Sequence, residues 1–220
     1  GTSGWMIQHA WLIPAFPLVP FALNGLFISP ISKRAAGVVA TLSILASALC
    51  AYTLAYQYFT AHPAGHEHPI LVPWSFEWLR YMPGLTVNVG VLVDPISVLL
   101  MCVVTTVSFL VHTYSNAYMH GEYGFGRYFT YLNLFTFSML GLVVSPNIIQ
   151  MYVCWELVGV SSFLLIGYYY NKPSAVSASK KAFIVTRFAD LGFLIGVILL
   201  SYFGFQIYPE WSVDVGAVTN

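Results

Sequence analysis

Apolar residues gather into six long runs, at residues 9–28, 35–59, 94–115, 127–145, 147–170 and 179–203. At a rise of about 1.5 Å per residue, such a run covers the ~30 Å hydrocarbon core of a bilayer. Lipid cannot hydrogen-bond an exposed backbone, so each run predicts a helix. Pro14, Pro17 and Pro20 fall inside the first run and predict a kink or local irregularity there. Asp94 and Pro95 suit the start of the third helix, the aspartate as N-cap and the proline in the first turn. Ser145, Pro146 and Asn147 predict a tight turn between the fourth and fifth runs.

The sizeable polar segment is residues 60–93, between the second and third runs. Its β-branched stretch LTVNVGVLVD, with WSFEWLR before it, predicts a small hairpin at the membrane surface. The expected organisation is helices 1–2 in residues 1–60, an external polar loop in 61–93, helices 3–6 in 94–204 and a polar tail in 205–220. The fold class expected is all-α, a polytopic membrane helix bundle of about six transmembrane helices with that one hairpin.

Composition turns these helices into membrane spans. Charged residues are 7% of the chain and hydrophobic residues 58%, and mean hydropathy is +0.75. A soluble domain carries about 25% charged residues. The lipid bilayer is therefore the first partner implied. A formal net charge of zero, from eight basic and eight acidic residues, argues against nucleic acid. Cys50, Cys102 and Cys154 lie inside apolar runs without C-x-x-C spacing, so buried, inert thiols are expected. The opening GTSGWMIQHAW lacks a basic stretch before a short apolar core, so no signal peptide is expected.

Basic residues suggest an orientation. Lys33, Arg34, Arg127, Lys172, Lys180 and Lys181 fall on one side of a six-span topology, and Arg80 alone on the other. The positive-inside rule makes the first side cytoplasmic and places the N-terminus outside.

Glu156 is the only formally charged residue of the fifth run. Nine residues from the run's start, its carboxyl lies roughly 14 Å deep, near the bilayer midplane. A charge there costs at least ~2.5 kcal/mol. The carboxyl must then be protonated, or paired with a cation from another span, because no basic residue stands at i±3 or i±4. Proton or ion handling is the usual reason for keeping such a residue.

The sixth run carries Lys180 and Lys181 at its start, then Arg187 and Asp190 within. Seven residues put Lys180 and Arg187 on one helix face, and three let Arg187 and Asp190 pair. Asp190 lies roughly 15 Å from Lys180, again near the midplane. A charge stripe from cytosol to midplane is what a proton half-channel requires. Two readings of Arg187 and Asp190 stand at this point: part of that stripe, or an ion pair that fixes helix packing.

His112, near the end of the third run, reads either as a proton relay or as an interfacial histidine satisfied by water or a carbonyl. His62, His66 and His68 form a weak metal-tract pattern in the polar loop. There is no phosphate-binding glycine loop, nucleophile elbow or haem-attachment motif, so no redox centre or other cofactor is expected in the chain. No soluble small-molecule substrate is expected other than protons, and the buried charges alone leave proton and sodium as alternatives.

Residues 145–196, SPNIIQMYVCWELVGVSSFLLIGYYYNKPSAVSASKKAFIVTRFADLGFLIG, resemble the signature region of the large antiporter-like subunit of respiratory complex I. That family includes bacterial subunit L, the mitochondrial fifth core membrane subunit and the F subunit of cyanobacterial and chloroplast complexes. AWLIPAFPLVP, DPISVLLMCVVTTVSFLVHTYSNAYM and YGFGRYFTYLNLFTFSMLGLVVSPN fit the same pattern. Cation/proton antiporter and membrane-bound hydrogenase subunits are similar and share the WEL glutamate. The KPSAV, KKAF and R-x-x-D elements favour the quinone-reductase branch.

The resemblance implies a proton-translocating, non-redox subunit of an NAD(P)H–quinone oxidoreductase in the cell inner membrane or thylakoid membrane. Quinone and NADH, NADPH or ferredoxin would be used by partner subunits. The family's fifth-helix glutamate falls on Glu156 and its sixth-helix acid on Asp190, with Arg187, Lys180 and Lys181 in the same motif. It also implies a longer chain, in which the glutamate faces a lysine on a broken seventh helix. The sequence stops ahead of such a helix, so an N-terminal portion without a complete catalytic site is expected. The alternatives are a subunit of a multisubunit cation/proton antiporter or membrane-bound hydrogenase, and a purely structural membrane scaffold.

Overall fold

Among the described residues of a computed structural model, six helices and one antiparallel hairpin follow each other along the chain. The structure describes residue 10 and residues 12–23, 33–61, 71–82, 85–118, 125–146, 148–167 and 172–207. The elements are α1 (Leu12–Leu23), α2 (Lys33–Ala61), β1 (Leu71–Met82), β2 (Leu85–Val93), α3 (Pro95–Tyr118), α4 (Phe125–Val143), α5 (Ile148–Ile166) and α6 (Pro173–Ile207). Each expected run thus holds a helix, and the expected hairpin lies between the second and third. His62, His66 and His68, Asn147 of the expected turn and the tail beyond residue 207 lie outside the described residues.

Four described stretches are long and apolar enough to cross a membrane: Gly37–Thr60, Pro95–Tyr118, Ile148–Ile166 and Pro173–Phe203. The apolar part of α4, Tyr128–Val143, is shorter. The described part of α1 has 12 residues, about 18 Å of helix. α6 begins six residues before the apolar run does. Polarity ends a membrane span but not a helix, and Pro173 is suited to a first turn. The Val176 N–H closes that turn on the Lys172 carbonyl at 3.1 Å.

The helix α1 runs unbroken through its three prolines. A proline lacks the N–H that would bond four residues back, so Pro17 frees the Ile13 carbonyl and Pro20 the Phe16 carbonyl. Two serines of α2 fill these gaps: Ser47 Oγ donates to Ile13 at 2.7 Å, and Ser43 Oγ donates to Phe16. The Ala10 carbonyl, freed by Pro14, accepts from Ile13 N–H at 3.2 Å. Where lipid offers no hydrogen bonds, such neighbouring hydroxyls let prolines stay in a spanning helix.

At the start of α3, Asp94 Oδ1 accepts from the Ser97 N–H at 2.6 Å, the N-cap bond expected there. β2 is tied to the α4–α5 turn by Leu92 N–H to the Val144 carbonyl at 2.8 Å. Gln150 grips Gly90 at two points, accepting from its N–H at 2.9 Å and donating to its carbonyl at 3.0 Å.

The core joins Ile13 of α1, Ala51, Leu54 and Tyr58 of α2, Val93 of β2, Val98 and Met101 of α3, and Leu140 of α4. α5 packs on α4, and α6 on α5. α6 turns Ile184, Val185, Phe188, Leu191 and Ile195 outward, the reverse of a soluble helix. The three cysteines are free, Cys154 buried and Cys50 and Cys102 half-buried.

Candidate functional site

α5 and α6 run antiparallel through a short connection, and their facing residues meet in rungs. From one end these are Gly167 with Ser179, Phe163 with Phe183, Gly159 with Arg187, Glu156 with Arg187 and Asp190, and Tyr152 with Phe193. On each helix the members recur every three or four residues, which is one helical face.

The ionisable groups occupy the middle of this interface. Arg187 Nη1 pairs with Glu156 Oε2 across the helices and stands 3.3 Å from Asp190 Oδ2 on its own helix. The partner that Glu156 lacks on its own span is therefore Arg187. Asp190 is 3% exposed, the most enclosed of the three. The guanidinium lies over the Phe183 ring, 4.7 Å from its centroid, a cation–π contact. Phe163 meets Phe183 at 5.1 Å, and on the other side Tyr152, Phe193 and Trp155 stack nearly parallel. The ion cluster thus sits between two aromatic layers. Glu156 Oε1, Asp190 Oδ1 and Arg187 Nε and Nη2 are buried without a hydrogen-bond partner among the described residues. The cluster keeps bonding capacity beyond its internal pairs.

The other candidates stand apart from it. Lys180 and Lys181 are exposed. Lys180 edges a cavity of about 240 Å³ with Tyr131, Phe163, Leu164, Gly167, Val176 and Ser179. The Phe163–Phe183 pair lies between that cavity and the guanidinium. His112 belongs to α3 and is fully buried against α4, with Phe129 at 5.9 Å and Asn133 beside it. Its Nδ1 lies 2.7 Å from the Ser108 carbonyl, so that nitrogen carries the proton. That bond holds the imidazole on the backbone of its own helix. Above and below it, Ser115 meets Tyr128 Oη at 3.1 Å, and Thr136 meets Ser108 at 3.2 Å. His112 thus forms the centre of a polar strip between α3 and α4.

Two family models match the chain. Residues 78–129 match "NADH-Ubiquinone oxidoreductase (complex I), chain 5 N-terminus". Residues 145–207, which hold the whole ion cluster, match "NADH:quinone oxidoreductase/Mrp antiporter, TM". The chain belongs to this family of antiporter-like membrane subunits. It is 40% identical over 195 residues to NADH-quinone oxidoreductase subunit L of Neisseria meningitidis, covering 88% of this chain and 28% of that protein. It is 38% identical over 199 residues to the chloroplastic NAD(P)H-quinone oxidoreductase subunit 5 of Marchantia polymorpha, with the same 88% and 28% coverage. The chain therefore spans less than a third of the length of these curated relatives.

Among solved structures, the Mrp complex of Dietzia sp. DQ12-45-1b is similar at a TM-score of 0.68 and 26% identity, over 88% of this chain and 19% of that one. A subunit of the archaeal membrane-bound sulfane sulfur reductase shares the fold, with a TM-score of 0.69 and 20% identity, over 88% of this chain and 37% of that one. These antiporter-like relatives are parts of multisubunit membrane complexes, and this chain is a multi-pass membrane protein like them.

Residue spacing pairs Arg187 with Asp190, and the resemblance offers Glu156 only a lysine beyond the given sequence, so Arg187 as the cation of Glu156 is not foreseen. The missed signal is the short α5–α6 connection. That connection forces antiparallel packing and brings residues equidistant from the turn opposite each other.

Proposed function

We propose that the chain is the N-terminal part of the proton-translocating, antiporter-like membrane subunit of a complex I-type NAD(P)H–quinone oxidoreductase. Redox chemistry would reside in partner subunits, with NADH, NADPH or ferredoxin as donor and quinone as acceptor. The membrane would be a bacterial inner or a thylakoid membrane. The observation that carries this reading is one guanidinium held between two carboxyls inside membrane-spanning helices.

A guanidinium keeps its proton at all physiological pH values. With both acids ionised the trio holds one excess negative charge, which a desolvated site resists. A proton on either acid removes it. The guanidinium touches both carboxyls, so a small shift of it changes which acid is paired and which is left to exchange a proton. Lys180 and its cavity lie on one flank as the approach, and His112 with its polar strip is a separate relay candidate on α3.

Glu156→Gln in the full-length subunit, within its native complex, tests the reading. Proton pumping per quinone reduced should fall severely while assembly persists; wild-type pumping would sink the mechanism. The likeness to the Dietzia Mrp complex favours a second reading, a cation/proton antiporter subunit. Proton flux driven by a sodium gradient, without any electron donor, would select it.

A further inference from the structure

The guanidinium of Arg187 is enclosed on several sides. Phe183 lies beneath it, Glu156 and Asp190 hold Nη1, and Gly159 of α5 stands next to Nη2. A Cβ built on Gly159 would be 3.1 Å from Nη2, with no other atom from outside its own helix backbone within 4 Å among the described residues. Ordinary carbon contacts sit at about 3.5–4.0 Å, so a methyl group there has to push the guanidinium aside. An exposed arginine would yield freely. This one has an aromatic face below it and two carboxyls fixing its other nitrogen.

Gly159 is also one turn from Glu156, on the same face of α5. Arg187, arriving from α6, lies against the α5 backbone at this level where it reaches Glu156. The glycines of α6 differ. Among the described residues, Gly192 and Gly196 have nothing outside their own helix backbone within 4 Å of an added Cβ, so a side chain there would enter open space.

We propose that Gly159 is a positioning residue: its missing side chain forms the seat that lets Arg187 reach Glu156 while staying on Asp190. The inference rests on the Glu156–Arg187–Asp190 cluster being the proton site. Glycine disfavours a helix interior, so helix formation alone gives no reason for it here. The space it leaves does.

The test uses the full-length subunit in its intact complex, reconstituted in vesicles and read as protons pumped per quinone reduced. Gly159→Ala should lower that ratio several-fold, Gly159→Val should abolish it, and the control Gly192→Ala should leave it unchanged. Arg187→Lys removes Nη2, so adding Gly159→Ala in that background should cause no further loss of pumping and no further drop in melting temperature. If Gly159→Val fails to assemble, Arg187→Lys should restore assembly. The proposal is overturned if Gly159→Ala and Gly159→Val pump normally. It is equally overturned if Gly159→Ala is as harmful in the Arg187→Lys background as it is with the native arginine. Normal pumping by Glu156→Gln would instead refute the functional reading beneath it, whatever the Gly159 series does.

Discussion

Arg187 of α6 pairs with Glu156 of α5 across the helix interface while it also holds Asp190, its own neighbour one turn away. One cation therefore serves two acids of unequal burial, since Asp190 is 3% exposed and Glu156 is half-buried. Losing Arg187 strands the more deeply buried carboxylate. Arg187→Met should destabilise the assembled subunit more than Glu156→Gln, and Arg187→Met with Asp190→Asn should recover part of the loss. A double-mutant cycle by thermal unfolding should give a coupling of about 0.5–3 kcal/mol. Strict additivity would mean that the two residues do not act as a pair. Asp190→Asn alone should impair pumping; normal pumping per assembled complex, with poor assembly, would assign the pair to packing.

The α1 prolines make a separate prediction. Ser47→Ala removes the donor to the Ile13 carbonyl, which Pro17 cannot serve. A buried carbonyl left without a donor costs about 1–3 kcal/mol. Pro17→Ala restores a backbone N–H for that carbonyl, so Ser47→Ala should be milder in the Pro17→Ala background. Equal melting shifts in both backgrounds would show that the serine is not compensating for the proline.

Gln150 clamps β2 through both ends of its amide. Gln150→Leu should release the hairpin and speed amide hydrogen exchange in residues 85–93, with little effect on exchange in α2. Gln150→Glu keeps the acceptor for Gly90 N–H but loses the donor, so its exchange rate should fall between the two. Unchanged exchange in Gln150→Leu would show that pairing with β1 and the Leu92–Val144 bond hold β2 without the clamp.

The α4–α5 contact is close where Gly141 faces Cys154. A Cβ on Gly141 would lie 3.0 Å from the Cys154 sulfur. Gly141→Ala should lower thermal stability, an overpacked site costing about 1–3 kcal/mol. Cys154→Ala deletes the opposing sulfur and should return most of that loss. Lack of rescue would place the strain elsewhere in the interface.

Helix positions were legible in the chain alone, because span length and apolarity are local properties read one segment at a time. So were the Asp94 cap, the hairpin and the Arg187–Asp190 pair, each set by residues a few positions apart. Proline spacing suggests a kink or local irregularity in α1 but not what completes its hydrogen bonds, because the serines that do so sit on another helix. Folding was needed to make Arg187 the cation of Glu156, to assign His112 to a different helix pair and to set Lys180 at a cavity outside the ion cluster. Helical periodicity states which residues share a face, but not which face meets which neighbour. That choice comes from packing many side chains together, and on α5 it turns on a glycine small enough to admit an arginine.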